Sequence, residues 1–232
     1  MFQTDLNKIS DKPLTDKCII LDLDETLVHT QSDENVDFFE MIFTDPAHYY
    51  LQERCYKITM EDVVVKRGTG RKDEMWGIKR PYLREFLIAC FNYFRIVIVW
   101  SAGRKNYVHT IVDQIFRDLP RPHVIFTFDD LEELHDKTFI KPLNKLINTV
   151  PGLNKYMSLE NAVIVDDRNT VFQEPNPHNG IQIPAYKPSF TLSGINKEDT
   201  ALLELKNWLL KPEVIESKDI RKINKTQIFT DN

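Results

Sequence analysis

The strongest constraint on this fold is a set of short apolar runs without polar alternation. Four of them lie in "KCIILDLDETLVH" (17–29), "RIVIVWSAG" (95–103), "HVIFTFDD" (123–130) and "NAVIVDDR" (161–168), and "GIQIPAY" (180–186) is a candidate fifth. Runs that are apolar on both faces are typical of central strands in a parallel sheet. The chain is therefore expected to cover both faces of its sheet.

Segments with helical spacing separate these runs. Apolar residues recur every three or four positions at 81–94, 106–119, 142–150 and 197–210. Strands that alternate with helices predict a Rossmann-like α/β fold, with a mostly parallel sheet flanked by helices. Residues 33–79 break this alternation with β-formers in "CYKITMEDVVVK" (55–66), so we expect a small β insertion after the first strand.

The predicted domain spans residues 17–210 and includes the insertion. Residues 1–16 mix polar groups with a proline and predict an N-terminal arm. Residues 211–232 are polar and lysine-rich, which predicts a C-terminal tail that frays. The basic "RGTGRK" (67–72) predicts an exposed hairpin tip, because it lacks the spacing of a phosphate-binding loop.

Composition limits the compartments and the classes of partner that are expected for this chain. Thirty Lys and Arg against 35 Asp and Glu give a net charge of −5, which argues against nucleic acid as a direct ligand. The longest apolar runs fall short of the roughly 20 residues of a membrane span, and no leader-like segment opens the sequence. Three separated cysteines form no zinc pattern. We therefore expect an intracellular protein of the nucleus or cytoplasm, with no membrane partner.

Acidic and hydroxyl side chains follow the carboxyl ends of the predicted strands, where ligands of open parallel sheets bind. They are Asp22, Asp24, Ser101, Asp166 and Asp167, and Lys141 at a helix start can reach the same crevice. Crowded carboxylates need a compensating cation, and Mg²⁺ prefers such hard oxygen ligands. An isolated Asp-x-Asp is more often a helix-capping turn, but the accompanying groups favour a metal site.

These motifs resemble a known family. "DLDETLVH" (22–29) is similar to the first motif, Asp-x-Asp-x-Thr, of the haloacid-dehalogenase superfamily. The agreement continues in order through "KRPYLREFL" (79–87), "WSAGRKNYV" (100–108), "IKPLNKL" (140–146) and "VIVDDRNTVF" (163–172). This set resembles the NLI-interacting-factor-like family, the small phosphatases of the RNA polymerase II carboxy-terminal domain. The resemblance implies a haloacid-dehalogenase-like fold and a Mg²⁺-dependent phosphoserine/phosphothreonine protein phosphatase.

The resemblance also implies roles for individual residues. Asp22 would be the nucleophile that forms an aspartyl phosphate, and Asp24 would be the general acid and then the general base. Lys141 would neutralise charge on both the phosphate and Asp22. Substrate binding would involve Thr26, Ser101, Ala102 and Tyr107.

The metal ligands implied by the resemblance are Asp22, the backbone carbonyl of Asp24, and an acid of the last motif. The pair Asp166–Asp167 leaves two choices for that acid. We favour Asp167 as the ligand, with Asp166 bracing Lys141.

The implied partner is a phosphorylated protein or peptide, with the tail of RNA polymerase II as one candidate. Two alternatives stay open: a catalytically silent binding module of the same fold, and a small-molecule phosphatase of the same superfamily, which usually has a larger cap. The complete acidic set weighs against the first, and the short insertion weighs against the second. A receiver-like phosphoacceptor domain is disfavoured by the Asp-x-Asp order.

The insertion is the expected wall of a peptide groove. The alternation in 55–66 predicts one face packed on the core. The resemblance implies that the opposite side and the helix after Ser101 form the groove beside Asp22. The basic side chains of Lys66, Arg67, Arg71 and Lys72 would then attract an acidic phosphopeptide.

Overall fold

The computed structural model describes residues 3–6, 9, 13–32, 36–61, 70 and 72–229. Its strands are β1 (Gln3–Thr4), β2 (Cys18–Leu21), β3 (Val28–Ser32), β4 (Cys55–Glu61), β5 (Lys72–Lys79), β6 (Ile96–Trp100), β7 (Val124–Phe126), β8 (Glu132–Glu133), β9 (Phe139–Ile140), β10 (Ala162–Asp166) and β11 (Gly180–Gln182). Its helices are α1 (Val36–Thr44), α2 (Leu83–Tyr93), α3 (Lys105–Ile115), α4 (Leu143–Thr149), α5 (Leu192–Ile195), α6 (Ala201–Leu209) and α7 (Pro212–Ile215). Short 3-10 turns lie at Pro46–Leu51, Phe128–Asp130, Leu153–Lys155, Asn169–Val171 and Ile220–Lys222.

The main sheet confirms the α/β prediction. Within the described ranges its strand order is β1-β7-β6-β2-β10-β11, and the five strands from β7 to β11 are parallel. Side chains of β2 alternate between the two faces. Ile19 and Leu21 pack in the cluster that contains residues of α2, α3 and α6, while Cys18 and Ile20 pack in the cluster that contains residues of α4. Helices therefore cover both sides, which explains why the strands are apolar throughout.

The insertion is a three-stranded antiparallel sheet in the order β3-β5-β4. It begins at Val28, earlier than the predicted residue 33, because β3 follows the first motif after a tight turn. The burial of β4 alternates along the strand as predicted, and Tyr56, Ile58 and Met60 join the main core. The sequence interpretation missed α1, whose Phe39 packs on the opposite face of this sheet.

The side-chain ring of Tyr56 lies so close to the backbone of Gly77 that this position in the small sheet requires glycine. A Cβ atom at Gly77 would lie 2.2 Å from Cζ of Tyr56, which is far inside van der Waals contact. The ring of Tyr56 therefore crosses directly over strand β5.

The N-terminal segment contributes more than an arm. Strand β1 pairs antiparallel with β7, with Gln3 opposite Ile125 and Thr4 opposite Val124. The expectation of a simple lead-in arm missed this pairing, because two polar residues carry no strand signal.

The C-terminal segment does not dangle, and the expectation of a fraying tail is wrong for residues 211–229. Val214, Ile220 and Ile228 are buried in the main core cluster. The ammonium of Lys17 donates to the carbonyls of Ile215 and Ser217, at 3.3 and 2.5 Å. The three apolar side chains are too widely spaced to reveal a packed face in the sequence.

Two further expectations concern the hairpin tip and membrane-spanning helices. The hairpin tip at 67–72 lies outside the described residues except for Gly70 and Lys72, so Lys66, Arg67 and Arg71 have no structural account. Within the part of the chain that the structure describes, no helix is both long enough and apolar enough to cross a membrane.

The packed C-terminal segment generates a prediction about stability. Ile220→Ala should lower the free energy of unfolding by about 2–5 kcal/mol, because the substitution leaves a cavity in the core. Urea denaturation monitored by circular dichroism measures this change. Lys222→Ala is the matched control, since its side chain is 81% exposed. Equal stability of the two variants would contradict the packed position of Ile220.

Candidate active site

The parallel register brings the predicted site residues to one edge of the sheet. Strand β2 lies between β6 and β10, with Leu21 opposite both Val99 and Val165. Asp22 therefore emerges beside Ser101 on one side and Asp166 on the other. A tight turn follows at once, because the carbonyl of Leu23 accepts hydrogen bonds from the N–H groups of residues 26–28.

Lys141 is the central cation of this edge. Its side chain is fully buried, and its ammonium donates to Asp22 at 2.7 Å and to Asp166 at 2.5 Å. Asn176 anchors the backbone here, because its amide donates to the Lys141 carbonyl at 2.7 Å. Burial opposes the charge of Lys141, but the two carboxylates outweigh burial and raise its pKa. The lysine is thus held charged inside the protein.

Carboxylates outnumber this cation. Burial, together with the charges of Asp166 and Asp24, raises the pKa of Asp22 to about 8, against the opposing effect of Lys141. Burial and the charge of Asp166 also raise the pKa of Asp167. Such crowding indicates that a further cation would stabilise the site.

Three carboxylates have the geometry to hold that cation. One oxygen each from Asp22, Asp166 and Asp167 lies within 4.8 Å of the others. A set of hard oxygen donors suits Mg²⁺. Asp166 is already engaged through both oxygens, by Lys141 and by the N–H of Arg168. No hydrogen bond to the Asp167 carboxylate is found within the described residues, which is consistent with Asp167 as the freer ligand.

Thr26 supports the acidic loop. Its side chain is fully buried, and its hydroxyl accepts a hydrogen bond from the backbone N–H of Asp167 at 3.1 Å. This contact positions Asp167 relative to Asp22. A role of Thr26 in substrate binding stays a prediction, and the contact seen here is a structural one.

Ser101 lies in a compact turn after β6. Its hydroxyl oxygen accepts from the N–H of Gly103 at 3.0 Å, and among the described residues no acceptor is found for its proton, which can therefore be donated to a ligand. A Cβ atom at Gly103 would lie 2.7 Å from Cδ1 of Tyr107 and 3.2 Å from the Ser101 hydroxyl, so this turn requires glycine. Ala102 is half-buried and packs against the core cluster on the α4 side.

Asp24 has a partner that the sequence did not reveal. The hydroxyl of Tyr107, on α3, donates to Oδ1 of Asp24. Burial raises the pKa of Asp24, while the hydrogen bond from Tyr107 opposes this shift. Tyr107 was expected near the substrate, and its contact with a second predicted catalytic residue was not.

A groove of about 750 Å³ opens beside Asp24. Its walls are the N-terminal end of α3, the last residues of β4 and the segment after β7, and it is lined by Met60, Glu61, Met75, Arg104, Lys105, Asn106, Tyr107, Phe128 and Asp129. The groove was expected on the face of the insertion that points away from the core, and the structure corrects this. Met60 belongs to the face of the insertion that joins the core, whereas α1 covers the opposite face. A larger cleft of about 970 Å³ near the C-terminal end of α3 contains none of the predicted catalytic residues.

Comparisons with known proteins agree with this architecture. A probable C-terminal domain small phosphatase of Dictyostelium discoideum is 25% identical over 205 residues, which cover 88% of this chain and 53% of the relative. An uncharacterised protein of Schizosaccharomyces pombe is 31% identical over 153 residues, which cover 65% of this chain and 36% of that protein. The chain thus spans about half or less of these relatives.

Two solved structures share the fold. Fission yeast Fcp1, an RNA polymerase II CTD phosphatase bound to beryllium fluoride, superimposes with a TM-score of 0.58 and 21% identity, covering 83% of this chain and 49% of that chain. A second structure of Fcp1 gives a TM-score of 0.58 and 18% identity, covering 90% and 58%. The model of the NLI interacting factor-like phosphatase family matches residues 17–221. The family recognised from the sequence motifs is confirmed: this chain belongs to the NLI interacting factor-like phosphatases.

Proposed function

We propose that this protein is a Mg²⁺-dependent phosphoserine/phosphothreonine phosphatase that acts through an aspartyl phosphate on Asp22. The observation that carries the proposal is the buried Lys141 ammonium, which joins Asp22 to Asp166 beside Asp24 and Asp167. A buried ion pair of this kind contributes little to stability by itself. Its position at the carboxyl ends of parallel strands favours a catalytic role.

Asp22 is suited to nucleophilic attack. Lys141 binds its Oδ1 and favours the charged carboxylate against the effect of burial, which leaves Oδ2 to attack phosphorus. The bond from phosphorus to the substrate oxygen breaks as the Asp22–phosphorus bond forms. Mg²⁺ bound by Asp22, Asp167 and the carbonyl of Asp24 would neutralise charge on the phosphoryl oxygens.

Two further groups complete the proposed reaction. Asp24 protonates the leaving serine or threonine oxygen and then accepts a proton from the water that hydrolyses the aspartyl phosphate. Ser101 donates its hydroxyl proton to a phosphoryl oxygen, and the hydrogen bond from the N–H of Gly103 holds the hydroxyl in place. Phosphoryl transfer depends mainly on such positioning and charge stabilisation.

The groove beside Asp24 supports a peptide substrate. It is open and contains Met60, Met75 and Phe128 for apolar contacts, together with the cations Arg104 and Lys105. The structural neighbour named as an RNA polymerase II CTD phosphatase makes the tail of this polymerase the leading candidate substrate. Such a substrate would place the protein in the nucleus. An enclosed small-molecule site is disfavoured by this open geometry.

Loss of the proposed nucleophile gives the first functional test. Asp22→Asn should abolish the hydrolysis of para-nitrophenyl phosphate and of a phosphoserine peptide panel in Mg²⁺, because an amide cannot form the covalent intermediate. EDTA should abolish wild-type activity as well. Asp136→Asn, whose carboxylate lies in an exposed turn, is the control.

Residual turnover by Asp22→Asn would exclude Asp22 as the nucleophile. A wild-type protein that binds phosphopeptides without hydrolysing them would instead support the silent binding module.

Metal binding can be tested without catalysis. Mg²⁺ should raise the Tm of the wild-type protein, since a cation that binds the native state stabilises it. Asp167→Asn should remove most of this increase, while Asp136→Asn should keep it. Differential scanning fluorimetry across a Mg²⁺ titration measures both. A full Mg²⁺ response in Asp167→Asn would assign the ligand role to Asp166.

The peptide groove has its own test. Phe128 is 38% exposed in the groove, and Phe43 is 39% exposed outside it, so the two residues form a matched pair. Phe128→Ala should raise KM for phosphopeptides several-fold, with a smaller effect on para-nitrophenyl phosphate. Phe43→Ala should not raise the peptide KM. Equal effects of Phe128→Ala on both substrates would contradict a peptide groove.

A further inference from the structure

The hydrogen bond between Tyr107 and Asp24 has features that indicate a specific role. Tyr107 is partly buried, packs against the main core cluster and donates its hydroxyl to Oδ1 of Asp24. A phenol carries one donor proton, so the Tyr107 hydroxyl can donate to a carboxylate. A polar group that is removed from water is costly unless its hydrogen bond is made.

The insertion sheet supports this tyrosine. The hydroxyl of Thr30, on β3, bonds that of Tyr56, on β4, at 2.6 Å, and Thr30 also interacts with Tyr107. Since each hydroxyl carries one proton, the Tyr107 oxygen can accept from Thr30 while its proton goes to Asp24. If Thr30 donates to Tyr107, its own oxygen accepts from Tyr56, and the donors follow the order Tyr56, Thr30, Tyr107, with Asp24 as the final acceptor.

Two glycines make room for the two tyrosines of this chain. A Cβ atom at Gly77 would overlap the ring of Tyr56, and one at Gly103 would overlap the ring of Tyr107. Any side chain at either position would displace a ring, and with it the hydroxyl. The network therefore depends on close packing that involves both the core domain and the insertion.

We propose that Tyr107 is a positioning residue that selects which oxygen of Asp24 carries the catalytic proton. The phenol donates to Oδ1, and because the carbonyl oxygen of a carboxylic acid is the better acceptor, a protonated Asp24 carries its own proton on Oδ2. In the first step that proton passes from Oδ2 to the leaving oxygen as the bond to phosphorus breaks. In the second step water attacks the phosphorus, its proton passes to Oδ2, and the bond to Asp22 breaks.

This inference rests on the proposed function, because it refines the role of Asp24 in that reaction. The chain of hydroxyls also assigns the insertion a second task, since Thr30 and Tyr56 orient Tyr107 from the insertion sheet. The insertion would thus act on proton transfer as well as on peptide binding.

The experiment removes one oxygen atom. Tyr107→Phe keeps the ring in the groove but lacks the donor. Its kcat should fall roughly 10-fold or more for substrates with poor leaving groups such as phosphoserine peptides, a part of the 10²–10⁴-fold that general acid catalysis contributes. The loss should be smaller for para-nitrophenyl phosphate, whose leaving group needs little protonation, and KM for the peptide should stay within about two-fold.

A double-mutant cycle separates positioning from a merely structural role. In an Asp24→Asn background, Tyr107→Phe should cause no further loss, because the residue to be positioned has lost its proton. Thr30→Val should reproduce the leaving-group dependence in weaker form. Tyr49→Phe, at an exposed tyrosine, is the control and should match the wild type.

The outcomes are distinct. A loss that is uniform across leaving groups, or that adds fully to Asp24→Asn, would overturn the role of Tyr107 and leave the proposed phosphatase function standing. A wild-type protein that is inactive on every phosphorylated substrate in Mg²⁺ would overturn both. A loss that grows with the pKa of the leaving group and vanishes in the Asp24→Asn background is the result we expect.

Discussion

The contact on which the site depends is the pairing of one buried ammonium with two buried carboxylates. Lys141 reaches Asp22 and Asp166 only because β2 and β10 are adjacent, parallel and in register. A shift of one residue in either strand would move one of the acids to the other face of the sheet. Removing the lysine alone would leave uncompensated charge in the interior, which is among the most costly changes in a protein. The fold and the site are thus specified by the same register.

The sequence predicted the parallel sheet and the grouping of acids because both follow from local patterns. Strands buried on both faces appear as short uninterrupted apolar runs, and each run shows directly where its strand ends. Once the runs around Leu21 and Val165 are taken as neighbouring parallel strands, Asp22 and Asp166 must meet. Tertiary contacts were not needed to infer this much.

The features that the sequence did not reveal depend on contacts between distant segments. Nothing around Tyr107 indicates that its hydroxyl meets Asp24, because this contact depends on the angle between α3 and the loop after β2. Ile220 is buried in the main core cluster, which also contains residues of α2 and α6, and Phe39 of helix α1 packs on the outer face of the insertion sheet. Isolated apolar residues in a polar segment carry too little periodicity to predict such packing.

The short strand β1 has a consequence for the behaviour of this protein at high concentration. A sheet edge with unpaired N–H and C=O groups can pair with another molecule and start aggregation. Strand β1 occupies the exposed side of β7 and runs antiparallel to it, so the three-residue β7 presents no free edge there. At the other end of the sheet, β11 is itself only three residues long. Both borders of the main sheet are therefore poor templates for intermolecular strand pairing, and at one of them two N-terminal residues with no role at the catalytic edge provide this protection.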